Sequence, residues 1–282
     1  MTDTHGIDPQ TVEELLRIAR DVAREAGELA IEGRAGAHIA GTKSAATDIV
    51  TQMDIAVERL ITRRLSELRP QDGILGEEGA SSGGISGITW IVDPIDGTVN
   101  YLYGLPHWGV SIAAAAGSPD PREWTLLAGA VYDGTRTLWS AGRGLGSWRD
   151  ETPLKRTDAA PLSQSLLATG FQYVASWRAA QARVVAQILP QVRDIRRLGA
   201  CSVDLCLVAA GDLDVYYENG LNPWDFAAGA LVAEEAGVRI GAADGGPAHH
   251  GLLIAAMPRV WEELRDAIVA AGGESPWDTP TV

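Results

Sequence analysis

Residues 90–101 read WIVDPIDGTVNY, and this stretch joins an apolar run to a pair of acids. The run WIV indicates a buried strand, so Asp93 and Asp96 are expected at its carboxyl end, where sites form in sheet proteins that carry helices. Pro94 fixes one backbone dihedral angle, and Gly97 permits a positive φ or a close backbone approach. Taken alone, the pattern is equally typical of a metal site and of a capped turn, because Asp, Pro and Gly are common turn residues.

Composition limits the class of protein and its partners. The 282 residues are 46% apolar and 21% charged, which is ordinary for a globular chain of one large domain or two closely packed ones. With 23 Lys and Arg against 37 Asp and Glu, the net charge is −14. This charge repels nucleic acid and anionic membranes, so neither is an expected partner. An anionic substrate would require a bound cation to offset the acids.

Targeting signals and cysteines give two further expectations. No apolar run approaches the roughly 20 residues needed to span a bilayer, and the start MTDTHGIDPQ resembles no signal peptide, so we expect a cytoplasmic protein. Cys201 and Cys206 are expected to be reduced core residues on different faces of one helix.

Apolar spacing predicts an N-terminal half of two helices followed by strands. A helix is predicted from Pro9, after the N-cap Asp8, to about Gly33. A second is predicted over 54–68, closed by Pro70, with five apolar side chains toward the core: Ile55, Leu60, Ile61, Leu65 and Leu68. Strands are predicted at 88–92, 109–116, 126–132 and 137–141, and four in succession indicate an antiparallel sheet.

The second half alternates between the two element types. Strands are predicted at 166–169, 214–217 and 252–256, and helices at about 177–189, 202–210, 223–236 and 259–271. A boundary is predicted in the polar stretch at 150–160. The chain then divides into an N-terminal α+β domain, 1–155, carrying the antiparallel sheet and metal site, and a C-terminal α/β domain, 156–282, completing the site.

Three further acidic clusters also lie where elements end: KSAATDIVTQMD at 43–54, ILGEEG at 74–79 and NPWD at 222–225. Strand alternation means that only one of Glu77 and Glu78 should face a cleft, and in isolation this cluster is typical of a solvated loop. Asp225 could equally be a helix-dipole partner. Oxygen ligands without a nearby His or Cys favour Mg²⁺ over Zn²⁺.

Together, the four clusters resemble the inositol monophosphatase family of Mg²⁺-dependent, lithium-sensitive phosphatases. WIVDPIDGTVN resembles the family's first signature and NPWDFAAGALVAEEAG its second, with ILGEEG and KSAATDIVTQMD similar to its glutamate and lysine–aspartate motifs, in the same order. The resemblance spans nearly the whole chain. It implies a layered α-β-α-β-α fold (mixed α/β), a homodimer, and hydrolysis of myo-inositol 1-phosphate or related phosphate monoesters by direct attack of an activated water.

The resemblance also assigns site residues, matched position by position. Glu77, Asp93 and the carbonyl of Ile95 would hold one Mg²⁺, and Asp93, Asp96 and Asp225 a second. A third, weaker ion would lie beside Glu77, with Lys43 in its surroundings. The implied catalytic residues are Asp54, Thr98 and Glu77, the first two orienting and deprotonating the water. The implied substrate-binding residues are Gly97, Thr98, Gly199, Ala200, Cys201, Glu218 and Asp225.

Two alternatives remain open beside this assignment. Histidinol-phosphate phosphatase, or a broader sugar-phosphate phosphatase, would use the same machinery, because specificity depends on the loops near Cys201 and Glu218. Bacterial members of the family can also act as partner proteins of the transcription machinery. His107, near the first signature, is expected to have a structural or rim role, and Lys43 is either a surface cation or part of the site.

Overall fold

A computed structural model describes residues 8–45 and 48–274 of the chain. Ala46 and Thr47 of the lysine–aspartate motif, and most of the N-terminal stretch MTDTHGIDPQ, lie outside the described residues. The helices are α1 (Pro9–Gly33), α2 (Gln52–Leu68), α3 (Thr98–Leu102), α4 (Ala175–Ile188), α5 (Cys201–Ala210), α6 (Pro223–Glu235) and α7 (Pro258–Ala270).

Two larger sheets and one small hairpin contain the strands. The hairpin pairs β1 (Ile39–Thr42) with β2 (Ile49–Thr51). The large sheet contains β3 (Gly73–Gly76), β4 (Ser81–Ser82), β5 (Ile88–Asp96), β6 (Gly109–Ala116), β7 (Thr125–Asp133), β8 (Leu138–Gly142), β9 (Gly146–Arg149) and β10 (Thr152–Leu154). The small sheet contains β11 (Leu166–Thr169), β12 (Asp194–Arg196), β13 (Val215–Glu218), β14 (Arg239–Gly241) and β15 (Leu253–Ala256).

The two sheets differ in the direction of their strand pairs. The large sheet runs β10-β9-β8-β7-β6-β5-β3-β4, and its pairs are antiparallel except for β3 with β5. The small sheet runs β12-β11-β13-β15-β14, with parallel pairs on both sides of β11. Parallel neighbours require crossover connections, which the helices of the second half supply.

The elements stack as alternating layers, the α-β-α-β-α arrangement that the family resemblance implies. Helices α1 and α2 pack on each other and on one face of the large sheet, and α5 and α6 pack between the two sheets. Helix α7 packs on the small sheet and contacts α4. Close approach in the central layer depends on glycine, since a Cβ on Gly229 of α6 would lie 2.7 Å from the carbonyl oxygen of Ser202 in α5.

Most of the predicted long elements are confirmed. Asp8 caps α1 by accepting the N–H of Gln10, the antiparallel sheet is present, and β6 and β11 match their predicted bounds. Cys201 and Cys206 are buried and unbridged, as predicted. None of the helices in the described part of the chain is both long and apolar enough to cross a membrane.

The predicted inward face of α2 is partly wrong. Ile61 and Leu65 are fully buried, but Leu68 is exposed, and Ile55 and Leu60 are only half-buried. Two acidic side chains, Asp54 and Glu58, are buried instead. The buried face of α2 therefore includes two carboxylates, which can be buried because both accept hydrogen bonds from donors inside the protein.

Candidate active site

Sheet topology brings the first two acidic motifs to one edge. Gly76, the last residue of β3, pairs in parallel with Val92 of β5. Glu77 and Asp93 directly follow these paired residues, so they lie side by side at the same end of the two strands. Strand β5 extends beyond its predicted end at Val92 to Asp96, with an irregular register across the two acids. Such a bulge re-aims side chains at the end of a strand.

A cavity of about 300 Å³ collects residues from all four motifs. Of the residues that the family resemblance assigns to the site, all but Asp54 line it: Glu77, Asp93, Ile95, Asp96, Gly97, Thr98, Gly199, Ala200, Cys201, Glu218 and Asp225. Lys43 lines it as well, and Glu78 does not. Residues as far apart in the sequence as Lys43 and His250 therefore share one cavity.

Backbone amides orient three of the carboxylates. Asp93 Oδ1 accepts the N–H of Ile95 at 3.0 Å, Asp96 Oδ2 accepts that of Ser202 at 2.7 Å, and Asp225 Oδ2 accepts that of Asn222 at 2.6 Å. One oxygen of each acid is thus anchored by the fold.

The acids are destabilised in their charged form. Burial, together with the negative charges of Glu77, Asp96 and Asp225, raises the pKa of Asp93 well above its usual range. Burial also raises the pKa of Asp96 to about 7, against the lowering effect of its hydrogen bonds from Ser202. A cation bound among these carboxylates would remove this penalty.

A divalent cation fits this donor set chemically. The four carboxylates and the Ile95 carbonyl are hard oxygen donors of the type that Mg²⁺ prefers. Within residues 8–45 and 48–274, no three acidic, His or Cys side chains already stand in a closed metal-binding arrangement. Glu77 Oε1 is instead held by Lys43 Nζ at 2.8 Å, and Lys43 also contacts Glu78. Glu77 would have to exchange this ammonium partner for the ion.

Asp54 reaches the cavity through Thr98. Thr98 Oγ1 lies 3.0 Å from Asp54 Oδ1, and Asp54 is fully buried behind it. The other carboxylate oxygen, Oδ2, accepts the N–H of Thr51 at 2.8 Å as part of the capping box of α2. Burial raises the pKa of Asp54, while the hydrogen bonds from Thr51 and Thr98 lower it. A carboxylate with a raised pKa is a stronger proton acceptor.

Gly97 permits the close approach of the N-terminal half of the chain to the loop at Gly199. Gly97 has φ of +89°, and a Cβ there would lie 3.0 Å from the carbonyl oxygen of His107 and 3.1 Å from that of Gly199. Gly97 and Thr98 begin α3, where the first amides of a helix have no intrahelical acceptor. His107 does not line the cavity, and its carbonyl accepts an N–H from Asn100.

Besides the predicted Glu218, the cavity is lined by residues that were not predicted from the sequence. Glu218 packs against Gly170, where a Cβ would come within 2.1 Å of its carboxylate. The segment after β11 contributes Phe171, Gln172 and Tyr173, and Arg197 and His250 also line the cavity. The signal for the segment was available, because it follows the carboxyl end of a predicted strand.

Comparison with known proteins supplies the family. The model of the inositol monophosphatase family matches residues 11–275. The chain is 44% identical over 245 residues to an inositol-1-monophosphatase of Mycobacterium bovis, covering 83% of this chain and 82% of the relative. It is 35% identical over 268 residues to the Nus factor SuhB of Escherichia coli, covering 90% and 98%. The solved structure of Mycobacterium tuberculosis SuhB superposes with a TM-score of 0.78 at 41% identity, covering 93% and 98%.

Proposed function

The chain belongs to the inositol monophosphatase family, and from this premise we propose that it is a Mg²⁺-dependent phosphatase that hydrolyses myo-inositol 1-phosphate and related sugar phosphates. The products are inositol and inorganic phosphate. The relative from Mycobacterium bovis carries the name inositol-1-monophosphatase, which supports this choice of substrate. The proposal includes a cytoplasmic homodimer that is inhibited by Li⁺ and has neither nucleic acid nor membrane as a direct partner.

One observation carries the proposal: Glu77, Asp93, Asp96 and Asp225 line one cavity beside Thr98. Carboxylates alone would repel a phosphate dianion, so this cavity suits the reaction only with cations bound. Glu77, Asp93 and the Ile95 carbonyl would hold one Mg²⁺, and Asp93, Asp96 and Asp225 a second. A third, weaker ion would lie beside Glu77. When bound, the ions supply a lowered water pKa and charge stabilisation of the attacking and leaving oxygens.

The chain's own groups then perform three tasks. Thr98 orients the attacking water and passes a proton toward Asp54, whose carboxylate lies 3.0 Å behind the threonine hydroxyl. The backbone N–H groups of Gly97 and Thr98 bind phosphate oxygens. Glu218 accepts a hydrogen bond from a hydroxyl of the leaving group, while Gly199, Ala200 and Cys201 form the adjacent wall. Because the nucleophile is water, no covalent enzyme intermediate is required.

Phosphate release from a substrate panel, with and without Mg²⁺, tests the proposal. We expect turnover of inositol 1-phosphate that disappears with a chelator and returns with Mg²⁺, and inhibition at tens of millimolar Li⁺. Strong preference for histidinol phosphate would favour the alternative phosphatase. Absence of release from every monoester would reject the phosphatase proposal.

A second candidate function is a partner role in transcription, favoured by the name Nus factor SuhB of the Escherichia coli relative. The net charge of −14 opposes direct RNA contact but permits protein partners. Asp93→Asn separates the two functions. A cellular phenotype that survives the loss of phosphatase activity would support the partner role.

A further inference from the structure

A buried acid that the proposed site does not use lies one helical turn beyond Asp54. Glu58 is 6% exposed and lies on α2 at the i+4 position from Asp54, so the two side chains share a face of the helix. Its carboxylate accepts two backbone N–H groups, one from the glutamate motif and one from the residue directly after that motif. Oε2 lies 2.8 Å from the nitrogen of Glu78, and Oε1 lies 3.0 Å from that of Ala80.

The turn at residues 76–80, which binds this carboxylate, is fixed by several further hydrogen bonds of its backbone. The N–H of Gly76 donates to the Ala80 carbonyl at 2.7 Å, and the N–H of Glu77 donates to the Val92 carbonyl of β5 at 3.2 Å. The Glu58 carboxylate packs directly on Gly76, where a Cβ would lie 2.4 Å from Oε2. Gly76 is therefore glycine because the carboxylate occupies the space of a side chain.

The backbone of the turn and the side chain of Glu77 have different freedom. Four amides of the turn are bonded to protein groups, whereas the Glu77 carboxylate is held by the ammonium of Lys43, a flexible side chain. To bind a cation, the Glu77 carboxylate must reorient from Lys43 or present its second oxygen, Oε2, while its Cα stays beside Asp93. A backbone that is already fixed lowers the conformational entropy lost when the Glu77 side chain binds the cation.

We propose that Glu58 is a positioning residue for the divalent-cation site, acting through the amides of Glu78 and Ala80 to fix where Glu77 enters the cavity. This inference rests on the proposed function. One helix then serves the site twice, since Asp54 reaches the attacking water through Thr98 and Glu58 sets a cation ligand. Groups that orient metal ligands from behind typically change metal affinity or activity about 10- to 100-fold when removed.

Titration of the metal-free protein with Mn²⁺ by calorimetry tests the proposal without any turnover. In Glu58→Gln, the amide group keeps one acceptor oxygen but turns an NH₂ toward the second backbone N–H, so we expect Mn²⁺ to bind about 10- to 100-fold more weakly. Glu67→Gln is the matched control, because Glu67 is exposed on the same helix, where it pairs with Arg64. We expect wild-type affinity in this control.

Gly76→Ala disturbs the same contact through the residue that the Glu58 carboxylate packs on. This variant tests the proposal if Glu58→Gln does not fold. Its methyl group would displace the carboxylate, so the Mn²⁺ affinity should again fall. Excess Mg²⁺ should restore phosphate release in both variants, and urea unfolding of the metal-free proteins separates weakened cation binding from a destabilised fold. Unchanged Mn²⁺ affinity in folded Glu58→Gln would overturn the inference. A wild-type protein that binds no Mn²⁺ would instead remove the proposed cation site itself.

Discussion

At the residue scale, function depends on acids that the fold keeps close despite their repulsion. Asp93 is 1% exposed and has three carboxylate neighbours that raise its pKa. A buried carboxylate without a partner is strongly destabilising, and a bound cation would compensate its charge. The amide anchors on Asp93, Asp96 and Asp225 show how the orientation is maintained.

Asp93→Asn and Asp225→Asn should each lower phosphate release by more than about 100-fold, beyond the effect typical of groups behind a metal ligand. The metal-free variants should be at least as stable as wild type, because one buried negative charge is removed. Urea unfolding and phosphate release measure both effects. Asp194→Asn, at an exposed carboxylate, serves as the control. Near-normal turnover in either site variant would contradict the assignment.

Thr98→Val should lower kcat by about 10²- to 10⁴-fold, the range for a lost proton-transfer group, while KM changes little. Valine keeps the shape of the side chain but removes the hydroxyl that lies between Asp54 and the cavity. Thr98→Ser keeps that hydroxyl and should retain most of the activity. Steady-state kinetics on inositol 1-phosphate compare the two. Equal loss in both variants would indicate a packing role for Thr98.

At the scale of elements, the sequence predicted the long periodic segments and missed several of the short ones. Helix α1 and strand β6 have strong apolar patterns, whereas β4 and β10 have two and three residues and depend on pairing with a neighbour. The inward face of α2 was predicted from its leucines and isoleucines. The prediction is partly wrong because Asp54 and Glu58 share the buried face with Ile61 and Leu65. Donors from distant segments, Thr98 for Asp54 and Glu78 for Glu58, help to satisfy these acids.

The same distinction holds for the candidate site. The acids were found because each motif is local in sequence and rich in turn residues. Gln172 and Tyr173 follow the predicted strand β11, whereas Arg197 follows β12, and only the pairing of β12 with β11 brings it to the cavity. Glu58 was missed because an acid within a helix normally indicates a solvated face.

Packing between α5 and α6 gives an element-scale prediction. Gly229→Val should destabilise the protein by about 1 to 3 kcal/mol, because the added side chain has no room against the Ser202 carbonyl at 2.7 Å. Gly83→Ala is the control, since a Cβ there meets no atom within 4 Å. Urea midpoints at equal m-values measure the difference. An unchanged midpoint for Gly229→Val would contradict the close packing of the central layer.

At the scale of the whole molecule, the two sheets share a core. The large buried cluster contains Ile91 and Val131 of the large sheet together with Leu167 and Tyr216 of the small one, joined by α5 and α6. The division into 1–155 and 156–282 remains a proposal. It describes where the sheets change along the chain, and the site needs residues from both parts.

The shared core predicts one cooperative unfolding transition. Because α5 and α6 belong to the second half but pack on the sheet of the first, neither half can bury its apolar surface alone. Near- and far-UV circular dichroism in urea should therefore give the same midpoint. Two separated transitions would show that the halves are independent units.

The central claim is that Glu77, Asp93, Asp96 and Asp225 meet at one divalent-cation site. Anomalous diffraction from a crystal soaked in Mn²⁺ tests it most directly. We predict strong peaks within the cavity, with Asp93 oxygens shared between two ions and Glu77, the Ile95 carbonyl, Asp96 and Asp225 as the remaining protein ligands. Peaks elsewhere, or an empty cavity with the four carboxylates turned apart, would contradict the claim.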